Sequence, residues 1–345
     1  MSFDPWMNLN GTGEEHIGNG QAPYLDVADH YLSDRHEDWI SPELKQILSA
    51  ETRTYLLVDA TQRKKITQIF DLDDLELECR CLFKGEAAEN WKASAPYLID
   101  MTLPADAWED ASKVSHFHRS FIVEHWGQDT GIIVQTTASM DAVWRHFRRF
   151  TRVQVDGQES WLLFRFWDPR VARGYFSGIR SWEERVRQFF LIQSEAKTLS
   201  MIIESEGGTG CTEIRPSQTF LASHNTPAAP FRLTQDDINL LEGQVREKFI
   251  RDVAMQSAEF WPEKRRIFET EKAWHDEIDR LIRQAHDAGL HLDRDIRDFI
   301  SITIDKGRPF WAREDVRDIL SRPHLNTPTL RMLALRNKLE TGAIR

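Results

Sequence analysis

Three cysteines in 345 residues are too few for a disulfide framework. Cys79 and Cys81 are separated by one residue and Cys211 lies far away, with no second Cys or His pair at zinc spacing, so no metal site is expected. On a strand over 79–84 the two thiols share one face and act as small hydrophobes. No apolar run approaches the roughly 20 residues that span a bilayer, so no membrane partner is expected. The opening MSFDPWMNLNGTGEEHIG lacks the basic and apolar regions of a secretion signal, and a cytoplasmic location is the expectation. Also missing are a Gly-x-Ser-x-Gly elbow, a Walker A loop, a His-Glu-x-x-His pair and a Gly-x-Gly-x-x-Gly turn opening a helix after a strand. Residues 207–210 are glycine-rich but lack the lysine and following helix of a phosphate cradle, and read as a tight turn between strands. His116 and His118, two residues apart, point away from each other on a helix. The reading at this level is a non-enzyme, with no catalytic residue, no metal and no cofactor.

What charge there is carries an acidic bias, with a formal net of −11. Residues 1–51 hold 2 Lys/Arg against 10 Asp/Glu, residues 52–230 hold 21 against 24, and residues 231–345 hold 21 against 21. An acidic leader on a body without a basic stripe excludes nucleic acid as the main ligand. The leader reads as a solvated segment or as a docking arm for a basic partner.

The pattern along the chain predicts a flexible acidic arm over 1–22, an α/β lobe over 23–215, a proline-bearing linker over 216–230 and a helical bundle over 231–345. In the first lobe, strands are predicted at Tyr55–Asp59, Cys79–Lys84, Tyr97–Asp100, Gly131–Thr136, Trp161–Trp167, Arg187–Gln193 and Thr198–Glu204. Helices are predicted at Gln62–Leu75, at His116–Trp126 and from a Ser139 cap through Phe150, where Met140, Val143, Trp144, Phe147 and Phe150 form one stripe. Such alternation implies a mostly parallel sheet flanked by helices. In the second lobe Thr234 and Asp237 form a capping box ahead of Ile238, Leu241, Val245 and Phe249. Pro262 breaks that helix or starts the next. Ile267, Trp274, Ile278, Leu281 and Ile282 line another helix, with Gly289 placed to end it. Shorter helices follow over Arg294–Ile304, Arg313–Leu320 and Thr329–Glu340, with Gly342 placed to stop the last.

Two clusters of charge and aromatic residues are candidates for partner contact. In the run Leu163–Val171, a strand would put Phe164 and Phe166 on one face and Leu163, Arg165 and Trp167 on the other. Asp168 before Pro169 is an N-cap for a helix from Arg170 to Gly178. Arg165 on a half-buried strand needs an acid, which Asp168 or Asp59 can supply. The second cluster, Arg145, His146, Arg148, Arg149 and Arg152, is either a solvated helix face or a dock for an acidic patch. Arg145, Arg148, Arg149, Arg165, Trp167, Asp168 and Arg170 are therefore the candidate binding residues. Twelve tryptophans are many. Trp144, Trp161 and Trp167 are expected in the core, whereas Trp91, Trp108 and Trp126 are the ones placed for exposure and suited to anchor an interface.

The order Tyr55–Ala60, Ala95–Leu98, Gly131–Val134, the helix Trp144–Arg149 and the motif Phe164–Arg170 resembles the domain of unknown function 4123 over about residues 53–182. The resemblance implies a type VI secretion adaptor, or effector chaperone, which binds a toxic effector in the cytoplasm and loads it onto the VgrG spike. It carries over no catalytic site and does not cover the helical bundle, where cargo specificity is expected. The glycine usual in the tail of the family's first strand is absent here, since Ala60 and Thr61 follow Asp59. Alternatives from other classes are an immunity protein that neutralises a toxin, and a hydrolase or transferase whose triad assembles from distant residues.

Overall fold

The computed structural model describes residues 22–35, 38–49, 51–61, 77–223, 229–322 and 324–344. The predicted helix over 62–75 lies wholly outside the described residues, as does nearly all of the predicted arm over 1–22. Two compact units divide the chain between Leu241 and Glu242.

The strands of the first unit are β1 (Leu25–Tyr31), β2 (Arg53–Asp59), β3 (Cys79–Cys81), β4 (Pro96–Asp100), β5 (Gly131–Thr136), β6 (Arg152–Gln154), β7 (Trp161–Leu163), β8 (Leu191–Ile192), β9 (Lys197–Glu204) and β10 (Gly210–Pro216). Between them lie α1 (Pro42–Leu48), α2 (Glu86–Asn90), α3 (His116–Ser120), α4 (Met140–Thr151), α5 (Pro169–Gly178), α6 (Glu183–Phe190) and α7 (Gln218–Ser223). The main sheet runs β1-β10-β9-β5-β2-β4-β3, with β8 added to β9, and β6 pairs with β7 apart from it.

Every ladder in that sheet is antiparallel, which corrects the expectation of a mostly parallel one. The cause is visible in β2. Its residues Tyr55 and Leu57 pack into one core with β4, β5, β9 and helices α4 to α6, while Leu56 and Val58 pack into another with Ile40, Leu44, Phe117 and Phe121. A strand buried on both faces is apolar at every position whichever way its neighbours run. Continuous hydrophobicity therefore reports burial and not direction.

The first core is dominated by rings. Phe150 stacks on Phe189 with centroids 4.1 Å apart, and Phe166 stacks on Phe147 at 5.5 Å. Burying one such side chain stabilises by about 1.5–3 kcal/mol. Two predicted strands are corrected here. Residues 187–190 belong to α6, because Val186, Phe189 and Phe190 recur at helical spacing on its buried side, and only Leu191–Ile192 is strand. The predicted strand over 161–167 ends at Leu163, after which the chain turns inward and buries Phe164, Phe166 and Trp167 together. Those three rings are consequently core on both supposed faces. Trp161, expected in the core, is 53% exposed.

Other local signals hold. Ser139 caps α4 by accepting from Ala142 N–H, and Asp168 caps α5 by accepting from Arg170 N–H. The glycine-rich residues 207–210 make the turn from β9 to β10. β1 and β10 had no counterpart in the sequence reading; β1 is an edge strand (LDVADHY) whose polar composition masks it.

The second unit is helical. It contains most of α8 (Gln235–Phe260), then α9 (Pro262–Arg265), α10 (Glu271–Asp287), α11 (Asp293–Lys306), α12 (Glu314–Leu320) and α13 (Pro328–Glu340). Trp274, Ile278, Leu281, Ile282 and Ala285 are the buried stripe of α10. Thr270 caps that helix and Gly289, at φ +80°, follows its end. Ile267 precedes the helix and is exposed, so it does not join the predicted stripe. The Thr234–Asp237 box forms as predicted, with Thr234 N–H donating to Asp237 at 2.7 Å. The same carboxylate, fully buried, also accepts from Tyr175 at 2.7 Å and pairs with Arg185 at 2.5 Å, fixing the first turn of α8 to α5 and α6.

Candidate functional site

The end of β2 delivers Asp59 into a cluster of charges. Its carboxylate is 2% exposed. One oxygen accepts from the Thr61 N–H at 2.8 Å and hydroxyl at 2.7 Å, a local turn that closes β2. The other accepts from Trp167 Nε1 at 3.1 Å and from Arg165 Nη2. Asp168, three residues beyond Arg165, takes Arg170 through Nε at 2.9 Å and Nη2 at 2.6 Å while capping α5, and lies 3.8 Å from Arg165. Asp129 stands 3.9 Å from Arg170 on the other side. The hydrogen bond to Asp168 holds the Arg170 guanidinium above its ordinary pKa.

The structure thus brings together four of the seven candidate residues: Arg165, Trp167, Asp168 and Arg170. Trp167 is 1% exposed and its N–H is committed to Asp59. Three carboxylates meet two guanidiniums: Asp59 and Asp168 accept hydrogen bonds from them, and Asp129 stands at ion-pair distance. This arrangement joins β2, the loop before β5 and the start of α5. Of the two acids offered for Arg165, it uses both, with Asp59 the shorter contact.

The remaining three stand at i, i+3 and i+4 on α4, but their side chains go to separate partners. Arg145 is exposed and pairs with Asp141 at 2.6 Å. Arg148 lies over the Trp144 ring at 4.4 Å. Trp144 is half-buried and donates to Cys81 O at 2.8 Å, so α4 is tied to the short edge strand β3. Arg149 turns the other way and donates to Gln188 O at 2.5 Å, over the Phe150 ring at 4.7 Å. His146, counted with the basic run, is buried and bonds Phe189 O at 2.8 Å. Burial, then the nearby Arg149 charge, push its imidazole down to about 3, so it is neutral.

Two features escaped the sequence reading. One is Glu204, 1% exposed at the end of β9. Burial pushes its carboxyl up to about 7, opposed by the Gly127 N–H that donates to it. Among the described residues Oε1 lacks a hydrogen-bond partner, as do the neighbouring Ser205 Oγ and, just before Gly127, His125 Nε2 and Trp126 Nε1. Gly127 sits so close to the β9–β10 turn that a Cβ on it would lie 2.7 Å from Gly208 N, and its φ is +88°. Glu204 therefore clips the loop that carries Asp129, and through Thr130 O, which accepts from Asp59 N–H at 3.0 Å, the loop reaches the cluster. An acid inside an apolar strand (Ile202, Ile203, Glu204) was the available signal.

The other is a groove of about 450 Å³ between the β6–β7 hairpin and residues 229–232, bordered by Arg149, Arg152, Trp161, Phe231 and Arg232. Leu233 N–H donates to Gln154 O at 3.0 Å and Asp156 N–H to Leu233 O at 2.8 Å, which holds the two walls together. The partial strand signal at Trp161 pointed to one wall; the other wall lies 70 residues on and carried none.

Thiol chemistry is subdued. Burial raises all three cysteines, Cys79 and Cys211 to about 12, so they are protonated. Among the described residues, no group of three or more His, Cys, Asp or Glu is placed to hold a metal ion, and no helix is long and apolar enough to cross a membrane.

Residues 54–186 match the family model described as Domain of unknown function (DUF4123). This segment is a DUF4123 domain. It begins in β2, ends in α6, and contains Asp59, Asp129 and the whole Arg165–Arg170 motif. The strands β1, β9 and β10, which complete the sheet next to β5, lie outside the DUF4123 match, as does Glu204. Comparison with curated proteins and with solved structures finds no match.

Proposed function

We propose that the chain is a type VI secretion adaptor, a chaperone that holds a cognate toxic effector in the cytoplasm and loads it onto the VgrG spike. The observation that carries this reading is the DUF4123 domain together with the state of its charged cluster. Asp59 and Asp168 accept from Arg165, Trp167 and Arg170 and so act on the fold's own residues. The buried imidazoles His118 and His146 are likewise engaged with backbone carbonyls, of Met101 and Phe189. Side chains locked in this way suit a rigid platform for a polypeptide better than a hydrolase or transferase, which needs a free base beside a nucleophile. Affinity would then come from an extended contact area rather than from a closed pocket.

Co-expression with a type VI toxin and a VgrG spike protein from the same genome tests the proposal. A stable complex on size exclusion at micromolar concentration is expected, and deleting the chain should stop secretion of the toxin while the producing cells survive. Components that elute separately overturn the adaptor reading. Death of the producing cells on deletion would instead mark an immunity protein.

A further inference from the structure

The groove between β6–β7 and residues 229–232 brings several cations together without anions among the described residues. Among the described residues, none of Arg149, Arg152 and Arg232 forms an ion pair, in a chain with 55 acidic against 44 basic residues. By contrast Arg145, Arg165, Arg170, Arg185 and Arg187 of this unit each pair with a carboxylate. Within the groove, Arg149 is drawn towards Gln188 O and the Phe150 ring, and its partial burial disfavours the cation, which no acid offsets. Arg152 lies over the exposed face of Trp161 at 5.1 Å. Leu163 extends the apolar strip on the same side of β7, at 53% exposure. Phe231 closes the opposite wall, held by Arg185 over its ring at 4.9 Å.

We propose that this groove docks an extended acidic peptide segment of a partner protein, its carboxylates pairing with Arg149, Arg152 and Arg232 and an apolar side chain resting on Trp161. The inference rests on the adaptor reading and names the chemistry that the partner must present. Charge complementarity selects the occupant: guanidiniums form bidentate pairs with carboxylates, and a tryptophan beside them supplies apolar area. A nucleic acid fits poorly, since the chain's net charge of −11 repels a polyanion and three arginines make no stripe.

The test uses the full chain and a fluorescent peptide alternating glutamate with leucine, beside its glutamine isostere. Saturable binding of the glutamate peptide is expected, about tenfold or more tighter than the isostere and weakening with salt. The double variant R152E/R232E, whose side chains are exposed and hold no hydrogen bond among the described residues, should lose this binding by about tenfold or more with an unchanged circular dichroism spectrum. W161A should weaken both peptides alike. Equal binding of the isostere, or full binding by the double variant, overturns the proposal, as does tighter binding of a single-stranded oligonucleotide at the same arginines. If removal of residues 1–21 raises peptide affinity about tenfold, the occupant is the chain's own leader and the proposal also fails. Retention of the effector complex by R152E/R232E would sink the groove alone; a wild-type chain that forms no complex sinks the adaptor reading.

Discussion

Glu204 and His146 are buried ionisable groups with opposite consequences for stability. The folded Glu204 carboxyl titrates near 7 against an ordinary 4.5, so between those values the folded state binds the extra proton. Its contribution is fully present below pH 4.5 and is lost as pH rises through 7. His146 is depressed from 6.5 to about 3, so its contribution is present above pH 6.5 and is lost as pH falls. The variant Glu204→Gln keeps the shape and removes the charge. Denaturant unfolding at several pH values should show it gaining stability over the wild type as pH rises from 4.5 to 7, by on the order of 1–3 kcal/mol. A constant difference across that range would mean that the carboxyl is not desolvated. The sequence offers Asp168 or Asp59 to Arg165 without choosing between them, because the contact to Asp59 is made by a strand 106 positions away.

At the scale of elements, α5 shows how one residue serves two ends. Asp168 accepts from Arg170 N–H as a cap, and its carboxylate also holds the Arg170 side chain. Asp168→Ala removes both roles and should cost about 1–3 kcal/mol in chemical denaturation, above the ordinary cap loss of about 1 kcal/mol. Asp168→Asn keeps the cap acceptor and should cost less. Equal losses would show that the cap acceptor kept by asparagine contributes nothing and that the whole effect lies in the charge pair with Arg170. The helices were readable for this reason: caps such as Ser139, Asp168 and Thr234 and stripes such as 274-278-281-282 are local. Where the reading failed, at 187–190, β-branched and aromatic residues outweighed a spacing that α6 satisfies equally well.

At the scale of the whole molecule, the helical unit carries cores of its own, one around Trp274, Ile278 and Ile300 and another around Phe310, Val316 and Leu335. A fragment of residues 234–345, which retains the Thr234–Asp237 box, should therefore show a helical circular dichroism spectrum and a cooperative thermal transition. A gradual, non-cooperative melt would show that these cores do not suffice. The sequence by itself determined the periods, the caps and the turn at 207–210, since each depends on residues within a few positions of one another, and the resemblance to DUF4123, since it depends on the order of such short pieces along the chain. Only the tertiary structure decided the antiparallel order of the sheet, the burial of Phe164, Phe166 and Trp167, the clip of Glu204 onto the 127–130 loop and the groove beside Trp161. The reason is physical: strand direction and side-chain pairing are set by which distant segments come to lie side by side, and that choice leaves no period in the chain.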